Sequence, residues 1–197
     1  MGELLAPRKN TIRRYTPGLG GSSKCMSKTC KCCSHITTTK TFTSTHTRRQ
    51  YNIIDPFNCR STNIIYLITC SLCNKQYVGE TQRQLSHRLT DHRSNIALHK
   101  NTPIANHFNL PGHSVNNIQI TPICTVTVAE ACSCREDDRK LKNALLRKES
   151  YWQNQLCTFE PNGINLRNQP GRLPEHSIEP EQLINNNNPN TNPHSEN

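Results

Sequence analysis

Ile64-Ile65-Tyr66-Leu67-Ile68-Thr69-Cys70-Ser71-Leu72-Cys73-Asn74-Lys75-Gln76-Tyr77-Val78-Gly79 is the stretch on which the fold turns. Its first five residues are β-branched, aliphatic or aromatic, the composition of a buried strand. Cys70 to Asn74 reads as a turn, and Lys75 to Gly79 starts a second strand. The two runs are close enough to pair as an antiparallel hairpin. Tyr66 and Tyr77, eleven positions apart, stand one on each strand.

Downstream the period changes. Leu85, Leu89, His92 and Ile96 recur every three or four residues, which predicts an amphipathic helix. Thr102-Pro103 is a capping residue followed by proline at the first helical position, opening a short helix through Phe108. Ile118 and Ile120 alternate with polar residues as a third strand, and Pro122 places it at an edge. A long helix is expected from about Arg135 to Cys157, with Glu136, Asp137 and Asp138 in its first turn, where the helix dipole favours acids. The order β-β-α-β-α predicts an α/β (α+β) domain: a small three-stranded antiparallel sheet flanked by helices.

Outside this region the composition is different. Residues 1–58 carry 10 basic residues, two acids (Glu3 and Asp55) and four cysteines between Cys25 and Cys33. Few apolar residues recur there, which predicts a basic, largely irregular arm. Residues 168–197 hold one basic residue against four acids, five prolines and an Asn-rich run, a composition that cannot bury enough apolar surface to fold. Without that tail, residues 1–167 hold 23 basic and 10 acidic residues, or +13. Such an excess suits a polyanionic partner. No run approaches the roughly 18 apolar residues of a membrane span, and no N-terminal stretch reads as a secretory signal. Eleven cysteines in a chain read as intracellular point to metal ligation rather than disulfides.

Two charged positions fall on apolar faces. Glu149 interrupts the stripe Leu141, Leu145, Trp152, Leu156 of the long helix. An acid there snorkels to solvent, pairs with Arg147 or Lys148, or binds a cation, because an isolated buried carboxylate is costly. Arg88 and His92 lie four apart on the first helix, flanked by Leu85 and Leu89. The bland reading is a solvated helix edge over which Arg88 packs its stem.

Together these residues resemble the GIY-YIG nuclease domain. Ile64-Ile65-Tyr66 matches its first motif, with isoleucine in place of the naming glycine, and Tyr77-Val78-Gly79 matches its second. An arginine, a histidine, a glutamate and a terminal asparagine follow in the family's order as Arg88, His92, Glu149 and Asn165. Within that family the chain is most similar to the endonuclease of Penelope-like retroelements. That branch also places two cysteines between the tyrosine motifs, here Cys70 and Cys73, and carries a segment matching His107-Phe108-Asn109-Leu110-Pro111-Gly112-His113. The match spans residues 59–167. A chain of 197 residues leaves no room for the reverse transcriptase that precedes this domain in such elements, so it reads as a fragment or a free-standing copy.

The resemblance implies hydrolysis of a DNA phosphodiester with one Mg2+ or Mn2+, in the nucleus, with a reverse transcriptase or element RNA as further partner. Glu149 would hold the cation. Arg88 would donate to phosphate oxygens, Tyr66 or Tyr77 would orient or deprotonate the water, His92 would support one of these, and Asn165 would hold backbone. Cys70, Cys73, His107 and His113 suit a tetrahedral Zn2+, with His92 and His99 as further histidine candidates. Cys25, Cys30, Cys33 and His35, with Cys32 or Cys59, are a second zinc candidate set. Cys124, Cys132, Cys134 and Cys157 fit no ligand pattern. The alternative function is a zinc-stabilised nucleic-acid-binding module, or a retroelement fragment that does not cleave.

Overall fold

A computed structural model describes residues 20–127 and 135–167, with the side chains of residues 135–137 left aside. The acidic tail, residues 1–19 of the arm, and Cys132 and Cys134 lie outside the described residues. In chain order the elements are β1 (Gly21–Ser22), β2 (Thr41–Thr43), β3 (Gln50–Asn52), β4 (Pro56–Phe57), β5 (Ile64–Cys70), β6 (Gln76–Thr81), α1 (Leu85–Ala97), α2 (Pro103–Phe108), a 3-10 turn (Val115–Asn117), β7 (Ile118–Thr125) and α3 (Arg135–Gln155).

The expected three-stranded antiparallel sheet forms in the order β6-β5-β7. The central strand β5 buries six of its seven residues, which is why it reads as a continuous apolar run rather than an alternating one. Tyr66 faces Gly79 and Ile68 faces Tyr77 across the β5–β6 ladder. On the other side the register slips between Ile65 and Tyr66, so that Tyr66 faces Pro122 and Ile65 faces Cys124. A bulge at this point absorbs a proline that has no N–H to give the ladder.

Each exposed edge of the sheet is covered by chain from elsewhere. Along β7, Ile120 N donates to His35 O (2.8 Å) and Thr37 N donates to Ile120 O (2.9 Å). Along β6, Ile164 N donates to Gln76 O (2.9 Å). Covering unpaired strand groups removes a template for aggregation.

Helix α1 buries Leu85, Leu89, His92 and Ile96, the four positions that its period marks. Its first amides are satisfied by loop carbonyls: Leu85 N donates to Ser61 O (3.0 Å) and Ser86 N to Cys59 O (2.9 Å). In α2 the Thr102 side chain accepts from Ala105 N, with Pro103 opening the helix. Helix α3 packs on β6 and β5, with Leu145 and Leu156 buried. It ends at Gln155, before the expected Cys157, because the chain turns into a Schellman motif. Thr158 N donates to Gln153 O (3.0 Å), Cys157 N donates to Asn154 O (3.2 Å), and Cys157 takes φ +54°.

The described part of the arm, residues 20–58, packs against the domain. Residues 20–58 form four short strands, and Phe42, Ile53 and Phe57 join the buried core. Phe42 stacks on Tyr51 at 5.4 Å, and both meet Trp152 of α3 edge-on at 5.1 and 5.2 Å. Gln76 ties β6 to the same arm: its Nε2 donates to Thr43 O (2.9 Å) and its Oε1 accepts from Thr45 N (3.0 Å). Strands of two or three residues are too short to show a period, so their order rests on contacts with distant chain. Among the described residues no helix is long and apolar enough to cross a membrane.

Candidate active site and metal centres

The Tyr66 hydroxyl is the hub of the first site. Its oxygen lies 2.7 Å from His92 Nε2 and accepts from Arg88 Nε at 3.0 Å. Strand β5 supplies the tyrosine, and successive turns of α1 supply the arginine and the histidine. The Tyr77 ring lies 5.9 Å from the His92 ring, nearly perpendicular to it at 81°. Gly79, opposite Tyr66, makes room for this cluster: a Cβ there would sit 2.4 Å from the Tyr66 hydroxyl oxygen and 2.8 Å from the Tyr77 ring.

Burial sets the charges. It pushes the Tyr66 phenol up to about 12 against the opposing Arg88 guanidinium, with Glu149 and Glu80 adding to the rise. Burial also raises Tyr77 well above the ordinary phenol range, helped by Tyr66 and Glu149. Arg88 is raised chiefly by Tyr66, so it remains cationic. Burial, with the Arg88 charge, lowers His92 to about 3, so its imidazole is neutral at physiological pH. Glu149 therefore lies within electrostatic reach of both tyrosines, from the stripe of α3 that packs on β6 and β5.

Asn165 sits at one remove from the hydroxyls. Wholly buried, it accepts from Val78 N at 2.9 Å through Oδ1 and donates to Val78 O at 2.9 Å through Nδ2. The side-chain amide thus imitates a neighbouring strand beside the Tyr77-Val78-Gly79 motif. Asn165 is brought back by a tight turn at Gly163, where a Cβ would lie 2.1 Å from Thr158 O.

Glu80, the residue after Gly79, was not singled out as a site residue by the sequence reading. Its Oε1 pairs with Lys142 Nζ of α3, while Oε2 is buried with no hydrogen-bond partner. A single acid beside a motif carries no period to mark it. Its pairing with Lys142 depends on the approach of α3.

The second site gathers Cys70, Cys73, His107 and His113, whose ligand atoms all lie within 4.8 Å of one another. The Cys70–Asn74 turn is closed by Asn74 N donating to Cys70 O at 2.9 Å. It is fastened to the 3-10 turn by Ser71 N donating to Asn117 O, also at 2.9 Å. His113 points Nδ1 at Pro111 O (3.2 Å), which leaves Nε2 to face the Cys73 thiol. Burial lowers His107 to about 4, leaving it neutral and able to ligate. For Cys73, burial is outweighed by hydrogen bonds from His113 and the Lys75 backbone, so its pKa is lowered. Two thiols and two imidazoles fit tetrahedral zinc. His92 is committed to Tyr66 instead, and His99 is not part of the group.

The third group is Cys25, Cys30, Cys33 and Cys59, again within 4.8 Å. His35, which sequence spacing put in this set, is elsewhere: its Nδ1 lies 3.1 Å from Ile118 O, held by the arm's pairing with β7. Cys32, 2% exposed, belongs to the core. Of the unassigned cysteines, Cys124 accepts from Trp152 Nε1 at 3.2 Å, and Cys157 ends α3.

No protein-family model matches the chain, and no curated protein matches it. Among solved structures it is similar to the catalytic domain of the homing endonuclease I-TevI at 21% identity. That match covers 53% of this chain and 97% of the other, with a TM-score of 0.35.

Proposed function

We propose that the chain is a metal-dependent DNA endonuclease of the GIY-YIG type, of retroelement origin and nearest in kind to the Penelope-like branch. The observation that carries this reading is the hydrogen-bonded chain Arg88–Tyr66–His92, with Tyr77 packed on it and Glu149 in electrostatic reach. Any buried phenol needs a hydrogen-bond partner, and here the partners are a guanidinium and an imidazole, groups suited to a phosphate and a water. A module that only binds nucleic acid has no need of a carboxylate beside them.

The chain's own residues divide the work. Arg88 donates into the Tyr66 oxygen, so we assign the phenol proton to the bond with neutral His92 Nε2. Engaged on both sides, Tyr66 positions Arg88 and His92, which leaves Tyr77 to orient the attacking water. The Nη groups of Arg88 form the planar fork that meets the non-bridging phosphate oxygens. Glu149 would hold Mg2+ or Mn2+, and such a cation, when bound, offsets charge on the leaving oxygen. Asn165 acts through backbone, keeping the second tyrosine motif in place. The Cys70, Cys73, His107 and His113 centre holds Zn2+ and stiffens the hairpin.

The retroelement reading adds action in the nucleus, with a reverse transcriptase or element RNA as a further partner. The excess of basic residues in 1–167 supports a polyanionic partner. The test is nicking of supercoiled plasmid with Mg2+ or Mn2+, comparing the full chain with Glu149→Ala and Arg88→Ala. Nicking by the full chain and loss in both variants is the expected result. DNA binding without nicking would favour the binding-module reading, and equal nicking by the variants would remove these residues from the chemistry.

A further inference from the structure

We propose that Cys25, Cys30, Cys33 and Cys59 bind a structural Zn2+ that fastens the N-terminal segment to the start of α1. This site is separate from the Cys70 centre and does not rest on the nuclease reading.

Strand pairing brings the four sulfurs together. β1 and β4 run parallel, with Ser22 opposite Phe57, and Ser23 N donates to Phe57 O at 2.9 Å. Parallel chains leave their ladder in the same direction. Cys25, three residues past β1, and Cys59, two residues past β4, therefore emerge side by side. Two turns, Cys30 N to Ser27 O (3.2 Å) and Cys33 N to Cys30 O (3.3 Å), then fold Cys30 and Cys33 back onto them.

The spacing of the sulfurs is that of a metal shell rather than of disulfides. Cys25 Sγ lies 3.5 Å from Cys33 Sγ, which lies 3.6 Å from Cys59 Sγ. All four thiols are free. A disulfide would need about 2.05 Å, whereas four thiolates on a tetrahedral zinc at about 2.3 Å stand about 3.8 Å apart. All four sulfurs lie within 4.8 Å of one another, a mutual convergence that pairwise contact between packed thiols does not require. A zinc tetrathiolate carries a net negative charge, and the exposed Lys24, Lys28, Lys31 and Arg60, interleaved with the ligands, offset it.

The location explains what the ion would do. β1 and β4 have two residues each and cannot hold by themselves. Cys59 also caps α1 through its carbonyl, which accepts from Ser86 N at 2.9 Å. One ion at Cys59 thus joins the arm to the helix that carries Arg88 and His92.

Elemental analysis of the purified full chain should find two zinc ions per chain. Cys59→Ser should lose one and keep the other, whereas His35→Ala should keep both. A single zinc that Cys70→Ser abolishes, or two retained in Cys59→Ser, would overturn the proposal. Iron in place of zinc, or a disulfide among the four found by alkylation without reduction, would also overturn it. Should Cys59→Ser fail to fold, cobalt substitution of the unmodified chain still decides the matter. Its charge-transfer absorbance should reflect all the sulfurs of both groups, and a value matching Cys70 and Cys73 alone would refute the site.

Discussion

Gly79 lies directly opposite Tyr66 in the β5–β6 ladder, and the space a Cβ would fill there is taken by the Tyr66 hydroxyl, 2.4 Å away. The glycine of the second motif is thus the condition for the tyrosine of the first to reach across the strand to Arg88 and His92. Gly79→Ala should move the ring and break both bonds while leaving the hydrophobic core in place. Displacing a positioning group by about 1 Å can cost on the order of 100-fold in rate. We expect nicking to fall by about that factor with far-UV circular dichroism unchanged. Retained nicking would mean that the Tyr66 contacts are dispensable.

Asn165→Ala would leave Val78 N–H, buried inside the sheet edge, without its partner, and weaken the coverage of Val78 O. An unsatisfied buried group costs about 1–3 kcal/mol, so the loss expected for the two groups is about 2–4 kcal/mol in urea unfolding. A change under 1 kcal/mol would show that the asparagine does not hold the motif.

His92 makes stability depend on acid. Its folded pKa of about 3 lies below the ordinary imidazole value of 6.5, so the unfolded chain binds the extra proton in the window between them. The stability it contributes is complete above about pH 6.5 and is lost as pH falls towards 3, with a slope of at most about 1.4 kcal/mol per pH unit. The groups facing it are Tyr66, Tyr77 and Arg88, and none of these changes charge in that window. His92→Gln, which keeps an acceptor for Tyr66, should remove that slope. Stability measured against pH for both proteins tests this, and identical slopes would contradict it.

Cys157 occupies a left-handed backbone position at the end of α3 with φ +54°, where glycine is unstrained. Cys157→Gly should raise stability by about 0.5–1 kcal/mol, since side chains with a Cβ are disfavoured there by about 1–2 kcal/mol. Cys157→Ala should change little. A lower urea midpoint for the glycine variant would contradict the strain.

The hairpin, the α1 stripe of Leu85, Leu89, His92 and Ile96, and the Thr102-Pro103 helix start were legible in the chain as written. Each is a local pattern, because neighbours a few positions apart settle which face is buried and which amide is capped. The candidate residues on those elements were marked by the resemblance to the GIY-YIG motifs, not by the local pattern. Packing alone chose Cys59 over His35 at the third cysteine group and drew residues 35–37 along the edge of β7. It also set Asn165 against Val78, 87 positions away in sequence. These pairings join chain from distant parts of the sequence, so no spacing encodes them. They follow from sheet edges that had to be covered and from strands too short to stand alone.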